Sequence, residues 1–161
     1  MTQATDLEHE VPRKAVEALR AGLGERLVAV VLFGSRARSD HRPESDWDLL
    51  VIAEGLPERP FDRQLFLNRL VSACRAPVSV IARTRQEFES HLPSLYLDIA
   101  LDGRILYDPT GYASLRLAHL RRLIDAAGLS RERTPAGDMW KWKKQPQGPW
   151  VMTWEKIGER P

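Results

Sequence analysis

Two carboxylates one residue apart, Asp46 and Asp48, follow a Gly34-Ser35-Arg36 turn after a spacer of nine residues. On a strand, residues i and i+2 share a face, roughly 7 Å apart at their Cα atoms. Carboxylates crowded in this way repel each other and favour a cation between them. Hard oxygen ligands suit Mg2+, which binds through one or two carboxylates plus substrate phosphates. Upstream, Gly34 permits close approach of backbone to a ligand. Ser35 and Arg36 add a hydroxyl and a permanent charge, both suited to phosphate oxygens. The chemistry these types offer is metal-assisted handling of a phosphate-bearing ligand. His41, Arg38 and Arg42 lie in the spacer and are read as solvated loop residues, with His41 a weaker candidate for a general base.

Two apolar runs must position these groups. Leu27–Phe33 ends directly at Gly34, and Trp47–Ala53 carries Asp48; each has the length and β-branched content of a buried strand. Antiparallel pairing would bring the Gly-Ser turn and the aspartates to neighbouring ends. Before them, residues 11–23 show helical spacing, with Pro12 suited to a first turn. After them come a helix over Phe61–Ala76 broken by Pro77, a short strand Val78–Ile81, and a capping box at Thr84 and Glu87. A helical segment Pro93–Leu101, an extended piece Arg104–Tyr107 and a helix from an Asp108 N-cap to Gly128 complete the domain.

The arrangement GSR, nine residues, then DWDL resembles the DNA polymerase β-like nucleotidyltransferase superfamily, and its shortness resembles the minimal nucleotidyltransferase (MNT, antitoxin-type) branch. The resemblance implies an α/β (α+β) fold, with a small mixed sheet of three to five strands and helices packed on one side. It implies transfer of a nucleoside monophosphate, AMP from ATP, to an acceptor hydroxyl. Asp46 and Asp48 would be catalytic and hold Mg2+; Gly34, Ser35 and Arg36 would bind the nucleotide. Members of this branch pair with HEPN-type toxins, so a tyrosine of such a partner is the implied acceptor. The superfamily also places a third carboxylate on a later strand. The matching position falls on Ser79, a neutral and weaker ligand, and Glu54, Asp62 and Glu87 lie off that strand. The alternative reading is therefore a degenerate nucleotidyltransferase acting as a non-catalytic antitoxin or binding protein. Modification of a small molecule such as an aminoglycoside is a further alternative, for which the chain looks short.

At 161 residues, 43% hydrophobic and 29% charged, the chain reads as one soluble domain. No apolar run approaches a membrane span, and the polar N-terminus does not resemble a secretory signal. The single Cys74 fits a reduced, cytoplasmic setting and a packing role. Net charge is +2, with +3 of it from residue 131 onward. Residues 1–130 are read as the nucleotidyltransferase domain and 131–161 as a Trp/Lys-rich tail holding four of the five tryptophans. Those tryptophans are read first as packing the tail onto the domain, next as a protein-partner or homodimer contact, and least as a single-stranded nucleic-acid site.

Overall fold

The computed structural model describes residues 2–161. A four-stranded mixed sheet has the order β3-β2-β1-β4. β1 (Leu27–Phe33) pairs antiparallel with both β2 (Trp47–Ala53) and β4 (Arg104–Tyr107), and β2 runs parallel to β3 (Val78–Arg83). The central pair is β1 and β2, and nearly every residue in both is buried. A strand buried on both faces reads as a continuous apolar run, which is why LVAVVLF and LLVIA lack a polar alternation.

Helices therefore cover both faces, where helices on one side were expected. One face packs Val30, Leu32, Leu49 and Val51 against α1 (Thr2–Leu23) and α3 (Pro60–Val71). The other packs Val31, Leu50 and Ile52 against α4 (Arg85–Ser90), α5 (Ser94–Asp102) and α6 (Tyr112–Ala127). Helix α1 begins well before the expected position and passes through Pro12. Its extra turns carry Glu8, which meets Arg36 and His41, so tertiary contacts override the start signal that Pro12 supplies.

The Thr84/Glu87 capping box is present at the start of α4. Asp108 is not the N-cap that was expected, yet its carboxylate reaches the first turn of α6, accepting from the N–H groups of Ala113 and Ser114 at 3.1 and 2.8 Å. Helix α6 starts later than expected because Gly111, at φ 73°, takes the N-cap. Gly128 closes it in the left-handed conformation.

Beyond Gly128 the chain forms two antiparallel hairpins, β5 (Leu129–Thr134) with β6 (Gly137–Trp142) and β7 (Trp150–Met152) with β8 (Ile157–Glu159). Trp154 is buried among Phe88, Tyr96 and His119, and its indole N–H is directed at the carbonyls of Phe88 and His91. Trp140 donates to Asp98, whereas Trp150 remains half exposed with its ring against Trp142. The expectation of tail packing thus holds for Trp154. Among the described residues, no helix is long and apolar enough to cross a membrane.

Candidate nucleotide site

The antiparallel β1/β2 register places Phe33 opposite Asp48, so Gly34 follows directly beside the second carboxylate. Gly34 has φ 73°, and a Cβ there would collide with Oδ2 of Asp48 and lie 3.2 Å from its Cγ. Glycine is required twice over, by the backbone conformation and by the space the carboxylate occupies. The chain then turns into a single helical stretch, α2 (Gly34–Arg38), ended by Ser39 in the left-handed region at φ 61°.

Along Asp46-Trp47-Asp48 the side chains alternate. Trp47 is buried on the α1/α3 face, while Asp48 points to the same face as Leu50 and Ile52. Asp46 is exposed just before the strand and Asp48 is partly buried. Burial, and then the charge of Asp46, raise the Asp48 carboxyl above its usual value, with Arg38 opposing. A pair of carboxylates that resists holding two charges is a fit for a divalent cation shared with phosphate oxygens. Among the described residues no third His, Cys, Asp or Glu completes a cluster with them.

The two arginines of α2 have opposite placements. Arg36 is buried on the Trp47 side, its guanidinium 4.4 Å from the indole centre. It donates to the carbonyls of Ser45 at 3.2 and 3.0 Å and Pro43 at 3.1 Å, and to Glu8 at 2.8 Å. This corrects the expected placement of Arg36 beside the phosphates: four of its five donors' worth of bonding goes to the spacer and α1. Arg38, read as a solvated loop residue, is the one whose charge acts on Asp48. The signal lay in the spacing: in a helix, i and i+4 share a side while i+2 turns away, so Arg38 stacks over Gly34 and Arg36 does not. His41 is also committed, with Nε2 2.9 Å from Glu8 on α1.

With the geometry in place, the kinship is clear. A family model described as a nucleotidyltransferase domain matches residues 13–107, the span that holds the whole four-stranded sheet and all five candidate residues. The chain belongs to the nucleotidyltransferase domain family. Two Methanocaldococcus jannaschii proteins named as protein adenylyltransferases are similar to it. One is 48% identical over 48 residues, 30% of this chain and 33% of its own length. The other is 28% identical over 102 residues, 62% of this chain and 98% of its own. Among solved structures, a toxin–antitoxin with AMP-PNP has a TM-score of 0.55 at 20% identity, covering 71% of this chain and 87% of its own. A tri-AMPylated HEPN toxin in complex with an MNT antitoxin from Shewanella oneidensis has a TM-score of 0.53 at 18% identity, covering 74% and 87%. These structures share the fold.

Within the nucleotidyltransferase domain, Ser79 stands directly beside Asp48 in the parallel β2/β3 register and on the same face. It is exposed and neutral. Glu54, Asp62 and Glu87 do not replace it: Glu54 is 3.7 Å from Arg85, Glu87 holds Arg63 and the α4 cap, and Asp62 lies in the first turn of α3. Cys74 is buried, and burial pushes its thiol up, away from a nucleophilic thiolate.

Proposed function

We propose that the chain transfers AMP from Mg2+–ATP to an acceptor hydroxyl, in a cytoplasmic setting. The reading rests on one observation above all: Asp48, two residues after Asp46, stands at the sheet end against a Gly34 that has no room for a side chain. Asp46 and Asp48 would hold Mg2+, which when bound neutralises charge developing on the phosphates. Gly34 and Ser35 let the first turn of α2 approach the phosphates, with its N–H groups lacking intrahelical partners. Arg38 supplies the cation on the Asp48 side, and Arg36 holds the spacer in shape from behind. The acceptor hydroxyl oxygen attacks the α-phosphorus and gives up its proton to water, and pyrophosphate leaves with the electron pair of the broken P–O bond. The names of the two archaeal relatives and the AMPylated HEPN toxin in a similar complex support a tyrosine of a HEPN-type protein as acceptor. Residues 1–130 form the transferase domain in this reading and 131–161 an appended tail; nucleic acid is not its ligand.

Labelled ATP incubated with such a partner tests the proposal. Label should pass to the partner, and Asp46→Asn/Asp48→Asn should lower the rate by roughly a thousandfold or more. No transfer by the wild type, together with ATP affinity equal in both proteins, would remove the metal-bridge argument. Ser79 favours a second reading, a non-catalytic partner-binding protein that retains nucleotide. Under it, wild type binds ATP without transfer, and Ser79→Asp introduces or raises transfer.

A further inference from the structure

The C-terminal hairpin reaches the nucleotide site through a closed ring of alternating charges. Arg38 lies 3.1 Å from Asp40, which lies 3.1 Å from Arg133. Arg133 lies 3.5 Å from Asp138, which lies 3.6 Å from Arg131. Arg131 grips Asp102 with two hydrogen bonds of 2.6 Å, and Asp102 closes the ring at 3.8 Å from Arg38. Asp98 joins at the side, bonded to Arg131 at 3.2 Å and to the Trp140 indole at 3.1 Å. The six ring members come from α2 and the residues after it, from α5, and from β5 and β6. Four of them, Arg38, Asp40, Arg133 and Asp138, line a cleft of about 730 Å3 together with Arg42 and Asp98.

Surface ion pairs taken singly contribute little, but a cyclic network with a bidentate Arg–carboxylate at its most buried point restrains geometry. Arg131 and Asp102 are that point, with side chains 15% and 14% exposed. The hairpin lies outside the stretch matched by the family, residues 13–107, so the shared fold does not account for it. Its two arginines act on Arg38 only through shared aspartates: Asp102 carries Arg131 to Arg38, and Asp40 carries Arg133 to it.

We propose that the β5–β6 hairpin is a positioning element of the nucleotide site, with Arg131 and Arg133 fixing, through Asp102 and Asp40, Arg38 on the α5-covered side of the sheet to which Asp48 also belongs. This rests on the reading of Asp46 and Asp48 as the nucleotide site. Arg131 and Arg133 are positioning residues; they touch neither carboxylate of the pair. If the hairpin only stabilised the fold, losing Arg131 would lower the melting temperature without coupling to Arg38 in ligand binding.

A double-mutant cycle on the full chain separates the two roles. Mg2+–ATP affinity is measured by calorimetry for wild type, Arg38→Gln, Arg131→Gln and the double variant, with melting temperatures alongside. Arg131→Gln is expected to weaken ATP binding roughly fivefold to thirtyfold, and to have little further effect once Arg38 is already Gln. Effects that simply multiply, or an Arg131→Gln affinity equal to wild type, overturn the inference while leaving the nucleotide site intact. Should Arg131→Gln fail to fold, the exposed Arg133→Gln carries the same cycle through Asp40. Absence of ATP binding by the wild type overturns the site reading itself, and the inference with it.

Discussion

On one face of the sheet, α1 and α3 bury Leu19, Leu67 and Val71 against Val30, Leu32 and Val51. On the other, α5 and α6 share that role with a segment from beyond residue 150, and Trp154 and Ile157 complete the cluster. The first face is covered by α1 and α3, with Leu56 and Cys74 from the turns that follow β2 and α3. The second includes the groups that leave the apolar pattern: Asp48 at its margin, Ser79 beside it, and Asp98 and Asp102 on α5. The candidate site and the C-terminal hairpins thus lie on the same side of the sheet.

The largest test of that contrast is Trp154→Ala. It removes a buried aromatic and leaves the carbonyls of Phe88 and His91 without their donor. The expected loss is about 3–5 kcal/mol in denaturant unfolding. A loss under about 1 kcal/mol would mean that α5 and α6 close their face unaided. Next is Arg36→Ala, which acts on the opposite face by stranding the carbonyls of Pro43 and Ser45 and leaving Glu8 with His41 alone. Glu8 is about one-third exposed, at 33%, so the expected cost is roughly 2 kcal/mol rather than that of a sealed pair. A stability equal to wild type, combined with a large fall in ATP affinity, would return Arg36 to the phosphate side.

Asp48→Asn sharpens the contrast with the smallest effect and the opposite sign. Folding raises the Asp48 carboxyl, chiefly by burial and secondarily by Asp46, so its neutral form favours the folded state. That contribution is whole below about pH 4, the unfolded value, and is lost as pH rises through the folded value. At pH 7 with a chelator present, the variant should be slightly more stable than wild type. Thermal unfolding should show the gain shrinking toward pH 4. A variant less stable than wild type at pH 7 would mean that Arg38 outweighs burial at this carboxylate.

Where a segment's own residues decide its structure, the sequence was readable. Strands β1 and β2 follow from two uninterrupted apolar runs, and their antiparallel register from the short spacer between them. The same runs carried the sign that both faces are covered, since burial of every position cannot be met by helices on one side. Arg36 was misplaced because its partners, Glu8 and the spacer carbonyls, are set by tertiary geometry rather than by spacing. The β5–β6 hairpin was not legible for a related reason. Its strands, LSRERT and GDMWKW, carry charges where an apolar stripe would announce a strand. Those charges find their partners on α5 and in the residue pair after α2, far along the chain.

Trp154 also bears on the order in which the molecule can be built. Every buried member of the α1/α3 cluster has been synthesised once the growing chain reaches Ala82. The opposite cluster draws on residues from Val28 to Ile157 and lacks its indole until the hairpins have been made. During synthesis one side of the sheet can therefore be sealed while the other still shows Phe88, Tyr96 and Leu97 to water, and a nascent chain halted before Trp154 presents that surface to chaperones.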